Sequence, residues 1–395
     1  MGEDEMASDT LTEVTRQSWF SRIGGAFKGV IVGLVLLALA FVLLFWNEGR
    51  AVERQKTLKE GGGEVISVAA DSVDPVNEGK LIHITGMTVT NDLLVDDVFG
   101  VSASGLKLKR DVEMYQWEER STSETKDKLG GGQETVTTYT YEKKWSPAVV
   151  DSTRFKEPTD RQNPNVMLVE PEEFLAEPVT VGAFTLPRSL VRKIVGYEPL
   201  ALPSDAQTPE TLEHRVTMRQ ADGFYVGESP ATPQVGDARV AFLVVPLTDV
   251  SVVAAQRGTS FVPYQAEAGG TIELLDTGTE TAEAMIEAAQ SSNEFFSWVL
   301  RLAGFIVMFM GLAMILKPLS VVADVVPFIG SIVGAGTGLV SFLSAAVLSL
   351  TTIAIAWVFY RPLIGFAILA VVVALIVAIV LKVRSSKPIQ APTAA

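Results

Sequence analysis

From Gly29 to Trp46 the chain runs for 18 residues without a charge, GVIVGLVLLALAFVLLFW. Few folds can absorb such a run. At about 1.5 Å per residue a helix of this length approaches the roughly 30 Å hydrocarbon core of a bilayer, and Phe27 and Asn47 extend it. Inside a bilayer the backbone must satisfy its own hydrogen bonds, so a helix is the only form open to a single segment. Lys28 at one end and Trp46 at the other are residue types that anchor at the interface. The run is too long for a signal-peptide core and no small-x-small cleavage site follows it, so a retained span over 27–47 is predicted.

The C-terminal third is apolar again. Residues 302–316 are uncharged, and extending back to Phe295 puts Arg301 near the interface, where its stem can snorkel. Lys317-Pro318 is expected to stop this helix. A 36-residue uncharged stretch follows from Val325 to Tyr360, and another full span from Pro362 to Leu381. Two topologies compete for the long stretch. Five spans would divide Arg16, Arg22, Lys28, Lys317, Lys382, Arg384 and Lys387 between the two sides. Four spans keep them on one side, as the positive-inside tendency requires. The favoured reading has spans at 27–47, 298–317, 339–359 and 363–381. Residues 318–338 form an interfacial or re-entrant Gly-rich segment, and Tyr360-Arg361-Pro362 an external turn. Both tails, 1–26 and 382–395, are then cytosolic. Gly330, Gly334 and Gly338, spaced four apart, suit close helix packing. Asp324 is the one charge well inside an apolar region and a possible intramembrane polar site, or else an interfacial residue.

Between the first two spans the composition changes. Residues 47–298 carry 23 Lys and Arg against 40 Asp and Glu, a formal −17, whereas the rest of the chain is +3. An acidic domain of this kind repels polyphosphate, so nucleic-acid binding is not expected. There is no cysteine, which excludes disulfides, thiolate metal sites and a cysteine nucleophile. Residues 48–60 and 279–298 read as helical stalks running into spans one and two, the first stopped by Gly61-Gly62-Gly63. Within the domain the pattern is period two. Leu106, Leu108, Val112 and Met114 alternate with charged residues, and Tyr139, Tyr141 and Trp145 with polar ones, so the two runs predict a hairpin across a polar loop near 119–135. Further strands are predicted at 64–69, 80–90, 214–219, 239–254 and 271–275, and short helices near 170–176 and 187–194. The fold class is therefore an α+β membrane protein: four transmembrane helices, with a large β-rich extracytoplasmic domain (48–297) inserted between helices 1 and 2.

Chemistry is hard to find. His83 and His214 lack any metal-ligand spacing, and Asp96-Asp97 and Glu172-Glu173 read as solvated surface pairs. No P-loop, Rossmann or GxSxG pattern stands in a strand–helix context, and Gly130-Gly131-Gly132 reads as a loop tip. No catalytic residue, cofactor or metal is expected. Asn47, Glu48, Gly49 and Arg50 stand where the first span meets the domain, and a role in locking the two together is predicted for them.

Several motifs in order carry a resemblance. They are Asn47-Glu48-Gly49-Arg50-Ala51, Asn77-Glu78-Gly79-Lys80-Leu81 with His83 and Gly86, and the more specific run Lys107 to Trp117 (KLKRDVEMYQW). Asn163-Pro164, Val235-Gly236-Asp237, Gln256-Arg257-Gly258 and Val262-Pro263 follow, then Arg301-Leu302-Ala303-Gly304, Met308 to Leu312, and Trp357 to Leu363. Over residues 27–381 the chain resembles the transmembrane protein 43 (LUMA) family. That resemblance implies a four-span protein of the endoplasmic reticulum and inner nuclear membrane with a lumenal domain. It also implies self-association, the bilayer and other membrane proteins as partners, and no established catalytic residues. The cysteine-free, Ala/Val-rich composition fits a bacterial homologue in the cytoplasmic membrane with a periplasmic domain. A non-enzymatic scaffold is the expected role; a channel or transporter component is the alternative.

Overall fold

A computed structural model describes residues 9–202, 211–212, 215–220 and 223–362. The predicted span 363–381, the tail 382–395 and His214 lie outside the described residues. The chain divides into two compact units. Of the described residues, the first takes those within 9–16, 57–126 and 134–289; the second takes 17–56, 127–133 and 290–362.

The first unit is built on two sheets. Strands β1 (Asp9–Gln17), β2 (Leu81–Val89), β3 (Lys107–Asp127), β4 (Gln133–Ser146), β5 (Ala238–Val245) and β6 (Asp249–Arg257) are its long members. The larger sheet runs β1–β4–β3–β5 and continues through Gly223–Val226 and Arg215–Gln220. β5 and β3 are antiparallel, with Val240 opposite Val112 and Ala238 opposite Met114. The period-two pattern holds along β3 from Leu108: Leu108, Arg110, Val112 and Met114 are buried while Lys109, Asp111 and Glu113 between them are partly exposed. Phe99, Phe224 and Phe242 fill the core above this sheet, with ring centroids 5.0–6.1 Å apart.

In the second sheet β2 pairs with β6, Ile84 opposite Val252. β6 is buried from Val250 to Gln256 because both of its faces are covered. Val250, Val252 and Ala254 join the main core. Val253 joins a separate cluster with Leu58, Leu81, Ile272, Met285 and Ile286. That second cluster is how the helix ends enter the domain.

Helix α1 is Trp19–Glu64, α2 is Ala282–Ala323 and α3 is Pro327–Tyr360. The Gly61–Gly63 triplet does not end α1. A Cβ at Gly61 would lie 2.2 Å from Ile272 Cδ1, so the glycine permits close packing there, and tertiary contacts override its poor helix propensity. The carboxylate of Glu60 accepts the backbone N–H groups of Glu267 and Ala268 at 2.7 and 2.9 Å, and Tyr264 donates to Glu64 at 2.5 Å. That last bond pushes the Tyr264 phenol up to about 12.

Other expectations need correction. The predicted strand 239–254 is two strands in different sheets, broken around Pro246, which has no N–H to give a ladder. The predicted helix near 170–176 is a strand, Glu172–Leu175, pairing with β3 through Glu172 and Arg110. The long polar loop is short, because β3 and β4 continue as a ribbon with Ser123–Thr137 and Thr125–Thr135 hydroxyl pairs at 2.9 and 3.0 Å. The turn then needs Gly130 and Gly131 at φ +87° and +79°. Within the segment 1–26, expected as a cytosolic tail, residues Asp9–Gln17 form β1 at the edge of the larger sheet. It is held by Asp9–Arg161, Glu13–Lys156 and Arg16–Glu134 ion pairs.

In the second unit α1 and α2 approach closely where Gly33 meets Gly311. A Cβ on Gly33 would lie 2.6 Å from the Gly311 carbonyl oxygen. Ala40, Leu44, Met308 and Ala345 form the core between the three helices. Lys317-Pro318 does not stop α2, which carries Pro318 inside it and continues one turn further. The segment expected to be interfacial or re-entrant, 318–338, is therefore divided. Its first six residues end α2, its last twelve begin α3, and the chain turns at Asp324–Val326 rather than at 338. Among the described residues α1, α2 and α3 are long and apolar enough to cross a membrane.

Candidate functional site

Three of the predicted junction residues come together as polar side chains, and the fourth makes room. Asn47 and Glu48 have no exposed surface, although they follow an apolar span directly. The Glu48 carboxylate receives two parallel bonds from Arg301 of α2, Nε to Oε1 at 2.6 Å and Nη2 to Oε2 at 2.8 Å. The indole Nε1 of Trp357, on α3, donates to the same Oε2 at 2.7 Å. One carboxylate thus joins three helices. The Arg301 guanidinium also stacks over the rings of Trp298 and Trp357, at 4.7 and 5.8 Å. A bidentate guanidinium–carboxylate pair is geometrically stringent, and in a low-dielectric setting it must be complete to be tolerated. Here it is complete.

Around it Asn47 donates to the Ser297 carbonyl at 3.1 Å, and Arg50 donates to Asn293 at 3.0 Å. Asn293 in turn donates to the Ala51 carbonyl at 3.0 Å. Gly49 leaves space for Tyr360, whose Cζ would be 2.7 Å from a Cβ at that position. At the end of α3 Arg361 reaches back to Gln55 at 2.6 Å. The predicted external-turn residues Tyr360 and Arg361 therefore belong to this cluster, whereas Pro362 has no side-chain bond in it. A polar cavity of about 200 Å³ opens beside it, lined by Gln55, Asn293, Glu294, Ser297 and Arg361 among others. The partners Ser297, Arg301 and Trp357 were missed as partners in the sequence. In the sequence Arg301 reads as a snorkelling residue, and the structure instead pairs it with the buried Glu48.

At the other end of α1 lies a second polar knot. Arg22 forms an ion pair with Asp324, and its Nη1 donates to the Gly131 carbonyl at 2.6 Å, with Asp127 at 3.6 Å. Trp19 donates to the Val321 carbonyl at 2.9 Å, and the Gly130 N–H to Val325 at 3.2 Å. Asp324 is thus a buried, paired acid at the α2–α3 turn. Gly330 packs on it, a Cβ there falling 1.9 Å from Asp324 Oδ1. Gly334 has only Ser320 near, and Gly338 has nothing within 4 Å, so the predicted glycine stripe does not act as one packing face within the chain.

In the β domain the remaining candidates are structural. His83 accepts from Ser67 and donates Nε2–H to the Glu280 carbonyl, both at 3.0 Å. Burial holds its pKa below the usual imidazole range, against an upward pull from the Glu280 bond. Asp96 is not surface but fully buried, paired with Arg110 and accepting the Phe99 N–H at 2.9 Å. Arg110 further donates to the Glu170 carbonyl and to Glu172.

The placement of these motifs can be compared with known proteins. The sequence profile of Transmembrane protein 43 matches residues 114–362. The rat Transmembrane protein 43 is 37% identical over 365 residues, covering 89% of this chain and 90% of the relative. The human protein is 36% identical over 94% of this chain and 93% of its own length. This chain belongs to the Transmembrane protein 43 family. A Transmembrane protein 43 homolog from Drosophila melanogaster is 26% identical across 91% of the chain. No solved structure matches. The family profile covers Arg301, Asp324 and Trp357, and begins beyond Arg22 and Glu48. As a member of the Transmembrane protein 43 family with three long apolar helices, this is a membrane protein.

Proposed function

We propose that the chain is a non-enzymatic membrane scaffold that self-associates and organises other membrane proteins through its extracytoplasmic domain. The observation that carries this reading is the Glu48 joint. Its carboxylate is fully buried and held by two bonds from Arg301 and one from Trp357. A carboxylate so engaged has little capacity left for proton transfer or ion coordination, and it fixes three helices in one arrangement. The rigid bundle is what a scaffold has to present. The exposed apolar side chains of α3, among them Phe328, Leu339, Val347 and Phe359, offer surface for lipid or a second copy.

The alternative, a channel or transporter component, is motivated by the 318–338 segment and by Asp324 as a possible intramembrane polar site. The pairing of Asp324 with Arg22 weakens that motive. Compartment follows source: the cytoplasmic membrane in a bacterium, or the endoplasmic reticulum and inner nuclear membrane in a eukaryote. Native mass spectrometry and crosslinking of the purified chain in detergent test self-association. Discrete oligomers are expected. A strictly monomeric particle at high protein concentration would remove the proposal.

A further inference from the structure

Beside the Arg22 knot, α1 and α2 leave a groove of about 630 Å³. Its walls are small or apolar: Gly25 and Gly29 on α1, and Met314 on α2. Its mouth is polar, with Ser21, Arg22 and Lys317. The two cations at the mouth differ in their partners. The Arg22 guanidinium is committed to Asp324, to the Gly131 carbonyl and, more loosely, to Asp127. Those two carboxylates are the acids that face the mouth, and both are turned to Arg22. Lys317 is exposed, and among the described residues its ammonium has no carboxylate partner. The groove thus presents one uncompensated cation and a hydroxyl at one end, and an apolar slot running about 12 Å from Ser21 to Gly29. The basic residues at the mouth, Arg22 and Lys317, are of the types that collect at a membrane interface.

We infer that this groove holds an anionic glycerophospholipid, its phosphate on Lys317 and Ser21 and one acyl chain along Gly25, Gly29 and Met314. A basic pocket between membrane helices is the kind of site that selects lipids by headgroup charge. The glycines admit the chain because no Cβ occupies the slot: around Gly25 nothing lies within 4 Å, and a Cβ at Gly29 would meet only Met314 Cε, at 3.8 Å. The inference depends on the membrane placement of α1 and α2, and not on self-association.

Native mass spectrometry of the full chain released from nanodiscs of equal phosphatidylglycerol and phosphatidylcholine tests it. Phosphatidylglycerol should be retained over phosphatidylcholine by roughly five-fold, the factor one cation commands at an anionic surface. Lys317→Gln should abolish that preference and Lys317→Arg should keep it. Gly29→Leu, which fills the slot, should abolish retention, while Gly29→Ala, which fits, should not. The Arg and Ala variants show that a loss is not a folding failure. No preference in the parent chain would overturn the inference, and so would a preference untouched by Gly29→Leu, which would mean headgroup adsorption alone. Displacement of the lipid by inorganic phosphate at matching concentration would also overturn it.

Discussion

The two polar clusters of the helical unit solve one problem in different ways. At residues 47–50 the acid, the base and the indole come from three different helices, and each partner is a side chain. At residues 19–22 the base is on α1 and the acid is on the turn between α2 and α3. Much of the remaining satisfaction comes from backbone groups of the hairpin tip, Gly130 and Gly131. Glu48 is fully buried, whereas Asp324 retains some exposure and Arg22 keeps two further acceptors. The first cluster is a closed joint that depends on helix packing alone. The second depends also on a turn of the chain, Gly130 and Gly131, that belongs to none of the three helices. The comparison teaches that a buried ion pair owes its strength less to its distance than to how many alternatives its partners have when it is broken.

That difference can be tested by breaking each in turn. Glu48→Ala leaves Arg301 without its carboxylate, and Arg301→Ala leaves Glu48 with only the Trp357 indole, so each should lower stability by about 3–5 kcal/mol, read by thermal unfolding in detergent. Asp324→Asn leaves Arg22 with Gly131 and Asp127, so a loss of only about 1–3 kcal/mol is expected in the same assay. Close helix contact gives a further contrast. Gly33→Ala drives a Cβ into the Gly311 carbonyl and should cost about 1–3 kcal/mol. Gly338→Ala, in open space, should change stability by less than about 0.5 kcal/mol.

The gentlest test leaves both clusters intact. The parent chain has no cysteine, so Thr12→Cys in β1 and Asp71→Cys in the domain can each be labelled with an impermeant maleimide. Both positions are exposed. Since β1 pairs within the domain's sheet, both should label from the same side of the membrane with stability unchanged. Labelling from opposite sides would mean that β1 leaves the sheet when α1 crosses the bilayer.

The sequence made the elements more legible than their partners. The period-two runs of β3 and β4, the apolar spans, and the cluster Asn47–Arg50 were readable because local patterning records which face is buried. The pairing of Glu48 with Arg301 was not, because the two lie 253 residues apart and a lone arginine near an apolar run reads equally well as an interfacial anchor. Asp324 stood out as a charge in an apolar region, but Arg22 sits 302 residues away. The β1 strand was invisible for a related reason: DTLTEVTRQ is short and polar, and only the ion partners at Arg161, Lys156 and Glu134 make it an edge strand. Gly61–Gly63 misled because propensity governs only where packing does not.

The claim on which the account rests is that Glu48 and Arg301 act as one joint. A double-mutant cycle with Glu48→Gln and Arg301→Met, scored by unfolding in detergent, measures this coupling directly. Each single variant should be strongly destabilised, and the double variant should lose about 2–3 kcal/mol less than the two single losses combined. Additive losses, with the double variant as unstable as the two single effects combined, would contradict it.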